Sequence, residues 1–275
     1  MKDFEIINLG LSDPLVQLEG YRGIGNKACI LVLPGGAYAA CAEPEGRPIA
    51  EFFAEHGYAA FTLRYSTLWS DFANKEAPVN THTIFPEPVR EVAAAIKYIK
   101  DNRASLYTNG NIVVCGFSAG GHLAASYGNT WFEKEICSGI AAEPEEIRPM
   151  CQILSYSVTK LKAEPKIMMN RAIFGKWDIS PDADELSLRS PVENVSDKTP
   201  PTFMWHSAKD NMVSVNQTIN MGLALQNAGV IYEVHIYPFG PHASGLSNGL
   251  PAENWKVEAI RFIEHTEKET KNAAS

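Results

Sequence analysis

Residues 111–124 read NIVVCGFSAGGHLA, with the pentapeptide Gly116-Phe117-Ser118-Ala119-Gly120 at their centre. The four residues before it, Ile112-Val113-Val114-Cys115, are strand-like, and Gly121, His122, Leu123 and Ala124 after it suit a helix start. Strand, sharp turn, serine and helix form the context in which G-x-S-x-G is a nucleophile elbow, not an ordinary Gly/Ser turn. The glycines have a steric reason. A serine held in a strained turn between strand and helix leaves no room for side chains two residues to either side. The turn lifts the hydroxyl clear of the backbone. It also leaves the N–H of Ala119 at a helix N-terminus, where it can donate to an oxyanion.

Outward from this stretch, β-rich runs alternate with helical patterns. Strands are predicted at 4–9, 28–33, 59–64, 112–115, 150–155, 202–206 and 231–237, and helices at 48–56, 87–103, 122–127, 215–227 and 253–268. The clearest helix is 87–103, where Val89, Val92, Ala93, Ile96 and Ile99 recur at helical spacing and Pro86 and Pro88 stand near its start. This alternation predicts an α/β fold: one domain over 1–275 with a mostly parallel sheet and helices on both faces. Residues 157–200 break the rhythm. They are polar and proline-punctuated, with one apolar helix pattern at 167–174, and are expected to form a short lid or wall over the carboxyl edge of the sheet.

A serine hydroxyl is a weak nucleophile; it needs a base, and the base needs an orienting group. Of seven histidines, His242 is best placed, in the loop Phe239-Gly240-Pro241-His242-Ala243-Ser244-Gly245 beyond the last predicted strand. His122 falls on the helix after Ser118 and reads as part of its face, and His206 ends a strand ahead of the acid loop. His56, His82, His235 and His265 have unremarkable contexts. The acid is expected between serine and histidine in the chain. Asp210 meets this, in the loop Ser207-Ala208-Lys209-Asp210 after a strand. Asp178, Asp182, Asp184 and Asp197 lie in the irregular stretch and read as surface charges or helix caps.

The other half of an oxyanion hole is expected where an early strand empties into Pro34-Gly35-Gly36-Ala37, since small residues let backbone N–H groups approach an anion. The donors assigned are the N–H groups of Gly36, Ala37 and Ala119. Glu45 reads as an acidic residue leading the first helix, with a pocket-lining role as the alternative. Arg64 and Tyr65 read as structural. Trp69, Trp177 and Trp205 read as core or cover, the alternative being a stacking surface for a sugar or aromatic group.

Composition narrows the function class. The 275 residues are 45% hydrophobic and 20% charged, enough for a sizeable core. A net charge of −8 without a Lys/Arg run speaks against nucleic acid and anionic membranes as partners. The opening MKDFEIINLGLSDP has no apolar stretch fit for a signal peptide, and no run approaches a membrane span. The five cysteines, Cys29, Cys41, Cys115, Cys137 and Cys151, show no C-x-x-C spacing. Cys29, Cys115 and Cys151 read as small buried hydrophobes, which points to a cytoplasmic setting. There is no H-E-x-x-H or Cys/His cluster and no G-x-G-x-x-G, so neither metal nor cofactor is expected. A homo-oligomer is compatible with these features.

Taken together, PGGAY at 34–38, EGRPIA at 45–50, LRYS at 63–66, GFSAGGHLAAS at 116–126, SPVENVSDKTPPTFMWHSAKDNMVSV at 190–215 and FGPHASGLS at 239–247 resemble the α/β-hydrolase superfamily. More narrowly they resemble small bacterial carbohydrate esterases of the acetylxylan esterase/feruloyl esterase-like group, and distantly the hormone-sensitive-lipase-type esterases. The resemblance spans 28–263. It implies an α/β-hydrolase fold and hydrolysis of short-chain esters, such as O-acetyl groups on xylo-oligosaccharides. It also implies Ser118 as nucleophile, Asp210 as acid, His242 as base and 35–37 as the oxyanion loop. Three departures stand out: Pro34 where many relatives carry histidine, Ala37 where a third glycine is usual, and Ala243 where glycine is common. Rival readings are a peptidase or general carboxylesterase of the same fold, and a silent binding protein on this scaffold.

Overall fold

The computed structural model describes residues 3–70 and 84–273. In chain order its strands are β1 Glu5–Asn8, β2 Gln17–Tyr21, β3 Lys27–Leu33, β4 Ala59–Arg64, β5 Thr108–Phe117, β6 Cys151–Ser155, β7 Thr202–Ser207 and β8 Tyr232–Tyr237. The α-helices are α1 Arg47–Glu55, α2 Glu87–Asp101, α3 Ala119–Thr130, α4 Lys134–Gly139, α5 Pro144–Ile147, α6 Met168–Phe174, α7 Ala183–Arg189, α8 Asn216–Asn227 and α9 Trp255–Ala273. The strands form one eight-stranded sheet in the order β1-β2-β4-β3-β5-β6-β7-β8. β2 runs antiparallel to both β1 and β4, and every later pairing is parallel.

The central strands are buried because helices cover both faces, and β3, KACILVL, is a nearly continuous apolar run. In β3, Cys29, Leu31 and Leu33 face one core, shared with Val92 and Ile96 of α2, Leu123 and Tyr127 of α3, and Met221 and Leu225 of α8. Ala28, Ile30 and Val32 face the other, shared with Ile49 and Phe53 of α1 and Trp255, Phe262 and Ile263 of α9. Cys29, Cys115 and Cys151 are fully buried, and none of the five cysteines is paired. Trp205 is also fully buried, stacked on Trp255 at 5.2 Å, so it belongs to the core. No helix among the described residues is long and apolar enough to cross a membrane.

β2 is the strand the sequence did not announce. Its segment QLEGY alternates poorly, and its place depends on distant partners. A Cβ on Gly20 would lie 2.1 Å from the Ala60 carbonyl oxygen, so glycine is what lets β2 seat against β4.

The stretch 157–200 is clamped where it leaves and rejoins the sheet. The Leu161 N–H donates to Ser190 Oγ at 3.0 Å, Thr159 Oγ1 donates to the Gln217 carbonyl at 2.9 Å, and Asn129 Nδ2 donates to the Pro191 carbonyl at 2.8 Å. Between the clamps lie α6 and α7. Asp182 caps α7: its Oδ1 accepts from the Glu185 N–H at 2.9 Å, while Glu185 Oε2 accepts from the Asp182 N–H at 2.8 Å. The apolar side chains of α6 turn inward, with Met169 and Ile173 buried against the core beneath.

Candidate active site

Ser118 sits between β5 and α3 with φ 50° and ψ −115°, a left-handed conformation for a residue with a side chain. The neighbouring glycines permit it. A Cβ on Gly116 would lie 2.3 Å from the Gly120 carbonyl oxygen, one on Gly120 would lie 2.1 Å from that of Leu33, and one on Gly121 would meet Ser157 Oγ at 1.8 Å. None of these could be accommodated without moving backbone or a buried side chain, and the strain is held by the surrounding sheet. The Ser118 N–H donates to the Ser155 carbonyl at 3.0 Å, tying the turn to the end of β6.

The parallel sheet brings the exits of β5, β7 and β8 to one edge, and the three residues singled out above meet there. His242 Nε2 lies 2.8 Å from Ser118 Oγ, and His242 Nδ1 lies 2.7 Å from Asp210 Oδ2. The side chains of His242 and Asp210 are 6% and 1% exposed, so water competes little for these bonds. Asp210 Oδ1 accepts from the Met212 and Val213 N–H groups, each at 2.9 Å. Burial alone would raise this carboxyl. Hydrogen bonds from His206 and His242 and from the two backbone N–H groups outweigh it and hold the group well below the usual carboxylate range.

His206 is closer to the site than its sequence context suggested. Fully buried, its Nε2 lies 3.0 Å from the Val213 carbonyl and 3.3 Å from Asp210 Oδ2. A carbonyl can only accept, so Nε2 carries the proton and Nδ1, 2.8 Å away, accepts from Thr218 Oγ1. His235 pairs with Glu233 on β8, His56 lies against the Phe52 carbonyl on α1, and His82 lies outside the described residues. Of the rejected carboxylates, Asp182 is the α7 cap.

The loop after β3 lies directly against the serine: a Cβ on Gly35 would come 2.9 Å from Ser118 Cβ. Three contacts pin the loop. Tyr65 Oη donates to the Pro34 carbonyl at 2.5 Å, the Gly35 N–H donates to Glu45 Oε2 at 2.8 Å, and the Gly35 carbonyl accepts from the Ala42 N–H at 3.0 Å. Ala37 has φ 55° and Ala243 has φ 56°. The two alanines that replace glycines thus stand at left-handed positions where glycine would be unstrained. Arg64 pairs with Glu19 at 3.0 Å and with Glu43, as a structural residue would.

Glu45 is where the sequence reading is corrected. It does not lead α1 from the surface: it lies in the turn before it, 1% exposed, with both carboxylate oxygens engaged by residues far along the chain. Besides the Gly35 N–H it accepts from Tyr156 Oη at 2.6 Å, and the Tyr156 oxygen in turn accepts from the Gly245 N–H at 3.0 Å. Desolvation raises the Glu45 carboxyl, partly offset by the bonds from Tyr156 and Gly35. Tyr156 also sets its ring edge-on to that of His242, 4.9 Å between centroids.

Two buried titratable groups flank this region with opposite signs. His122 is held by Tyr38 Oη and the Arg189 carbonyl, each at 2.8 Å, and burial lowers it to about 4. Unfolding then takes up a proton between about pH 6.5 and 4, so its contribution to stability is lost as pH falls through that window. Glu91 of α2 is 4% exposed, accepts from the N–H and hydroxyl of Ser66, and is raised by burial to about 7. Its contribution is complete below about pH 4.5 and is lost as pH rises through about 7. Each shift corresponds to about 3 kcal/mol, so the two oppose each other over most of the acid range. The stability gap between wild type and Glu91→Gln is therefore expected to shift by about 3 kcal/mol between pH 4.5 and 7, in the direction that disfavours wild type as pH rises. Urea unfolding of both proteins at half-unit pH steps measures this; a constant gap would show that Glu91 does not titrate there.

Comparison with known proteins accords with this architecture. The chain is 28% identical over 232 residues to endo-1,4-beta-xylanase B of Butyrivibrio fibrisolvens, covering 82% of this chain and 34% of that protein. It is 27% identical over 229 residues to an acetylxylan esterase of Xylanibacter ruminicola, covering 79% of this chain and 41% of that one. The chain thus spans between a third and a half of the length of these curated relatives. Among solved structures, an acetyl ester-xyloside bifunctional hydrolase from Caldicellulosiruptor lactoaceticus superimposes with a TM-score of 0.77 at 30% identity, over 95% of this chain and 96% of that one. The BD-FAE family model matches residues 23–225, a span that begins ahead of β3, includes Ser118 and Asp210, and ends within α8: the chain belongs to the BD-FAE family.

Proposed function

We propose that this protein is a serine esterase that removes short acyl groups, foremost acetyl, from small carbohydrates such as xylo-oligosaccharides. The observation that carries the reading is the hydrogen-bonded line from Ser118 Oγ through His242 to the buried Asp210 carboxylate. Ser118 attacks the ester carbonyl as His242 Nε2 takes its proton, and Asp210 stabilises the resulting imidazolium. Among the described residues the N–H groups of Gly36, Ala37 and Ala119 have no acceptor, and they serve the tetrahedral oxyanion. His242 then protonates the leaving alcohol and activates the water that releases the acid. Relatives whose names include xylanase and acetylxylan esterase support the carbohydrate side. Five unpaired cysteines favour a reducing compartment.

The short-acyl preference rests on α6. Its apolar side chains are spent on the core, which leaves little to line a long groove, and an acyl tail gains about 0.8 kcal/mol per buried methylene only where such a groove exists. Across p-nitrophenyl esters, kcat/KM is expected to peak at acetyl to butyryl and to fall at octanoyl, with acetylated xylo-oligosaccharides also cleaved. A preference for decanoate over acetate would make the protein lipase-like, and failure on every ester would favour a silent binder.

A further inference from the structure

The Glu45–Tyr156 pair links, through its hydrogen bonds, the two loops on either side of Ser118. One end of the link is Gly35, in the loop that carries the Gly36 and Ala37 N–H groups. The other is Gly245, in the loop that carries His242. The protons along the link are fixed by chemistry. A backbone N–H can only donate, so Gly245 donates to the Tyr156 oxygen, and the single phenol proton goes to Glu45 Oε1 at 2.6 Å. Gly35 likewise donates to Oε2 at 2.8 Å. Glu45 thus receives one donor on each oxygen, which a carboxylate satisfies and a carboxamide does not. A glutamine placing its oxygen on Gly35 would turn its NH2 toward the phenol, and the buried phenol proton would have no acceptor.

The packing is as tight as the hydrogen bonding. A Cβ on Gly35 would lie 2.4 Å from Glu45 Oε2 on one side and 2.9 Å from Ser118 Cβ on the other. On the far loop, a Cβ on Gly245 would lie 3.0 Å from the carbonyl oxygen of Pro44, the residue before Glu45. The Gly245 carbonyl is in turn held by Trp255 Nε1 at 3.1 Å. Glu45 is therefore wedged between both loops at backbone distance, and neither can shift without disturbing it.

We infer that Glu45 and Tyr156 act as one positioning unit that sets the oxyanion loop and the His242 loop in register with each other about Ser118. Neither touches the reacting atoms. Their effect is on the chemical step: Gly35 spends its N–H on Glu45, which leaves those of Gly36 and Ala37 for the oxyanion, and Gly245 is anchored so that the His242 ring stays edge-on to Tyr156. The inference rests on the reading of Ser118 as nucleophile.

The test compares wild type, Glu45→Gln, Tyr156→Phe, the double variant and Ser118→Ala on p-nitrophenyl acetate, each below its own unfolding midpoint. Small displacements of catalytic groups lower kcat steeply, so each single variant is expected to lose about 10- to 100-fold in kcat with KM within about 3-fold. The double variant is expected to be no worse than the poorer single, since residues acting as a unit are not additive. Affinity for phenylboronic acid, which forms a tetrahedral adduct on a serine, is expected to fall with kcat. Unchanged kcat in both single variants, a rise in KM alone, or losses that multiply in the double variant would overturn the inference while an inactive Ser118→Ala leaves the esterase reading intact. A fully active Ser118→Ala would overturn that reading itself. Should Glu45→Gln fail to fold, Tyr156→Phe decides alone, because it removes only the oxygen in the middle of the link.

Discussion

Replacing Ser118 by alanine is expected to lower kcat on p-nitrophenyl acetate by about 10³-fold or more, with little change in stability. The size of the loss follows from what disappears. Without Oγ there is no atom for His242 to deprotonate and no acyl-enzyme, and the remaining N–H donors can only favour direct attack by water. Stability is expected to hold because alanine meets the same left-handed backbone penalty as serine at φ 50°, and the loss is a single side-chain hydrogen bond, that to His242. Pre-steady-state release of p-nitrophenol and a urea unfolding curve check the two points: the burst should vanish while the unfolding midpoint stays in place. A variant with full activity would remove Ser118 from the mechanism.

The second large effect is expected from Asp210→Asn, a loss on the order of 10²–10⁴-fold in kcat. The hydrogen-bond pattern shows why an isosteric change costs so much. Oδ1 accepts from two backbone N–H groups, which an asparagine oxygen can still serve. The NH2 then replaces Oδ2 and faces His242 Nδ1 at 2.7 Å and the protonated Nε2 of His206 at 3.3 Å. His242 is driven to the tautomer with its proton on Nε2, which cannot accept from Ser118. Turning the amide over only moves the conflict to the backbone N–H groups. Asp178→Asn, Asp182→Asn and Asp197→Asn are controls expected to leave kcat within about 2-fold, because carboxylates away from the reacting atoms do not set the histidine tautomer. If one of these proved crippling and Asp210→Asn did not, the acid would have to be reassigned.

Much of the fold was legible because its signals are local. The runs that became β3, β4, β6, β7 and β8 are short apolar segments bounded by turn residues, and α2 carries its periodicity over fifteen residues. The losses have physical causes. β2 is a strand only by virtue of β1 and β4 on its two sides. α3 begins three residues before the predicted start, because the Gly120-Gly121 pair has low helix propensity and is helical through packing against β3 and Ser157. α7 lies outside the predicted helices although Asp182-Ala183-Asp184-Glu185 has the spacing of a reciprocal cap, the one local signal of its start. At the site, chain order and strand exits point to Ser118, Asp210 and His242, which the sheet brings together. Glu45 and Tyr156 were not legible: their partners lie 10, 111 and 89 positions away, and an acidic residue ahead of a helix has an ordinary local explanation. His206 was hidden likewise, since its bond to the acid depends on how the loop after β7 folds back.

The clamp between Leu161 and Ser190 gives the stretch it encloses a particular freedom. Ser118, Asp210 and His242 leave the sheet at β5, β7 and β8, so β6, from which this stretch hangs, contributes none of them. Chain between 162 and 188 is closed at its base by the Leu161–Ser190 bond, before any of its own sequence has been specified. Lengthening a closed loop is thermodynamically cheap, about 0.6 kcal/mol per doubling. The stretch is therefore an exchangeable cassette. Provided a replacement keeps the clamp, presents a carbonyl to His122 and covers the core where Met169 and Ile173 now sit, its length and composition can drift without touching the serine's surroundings.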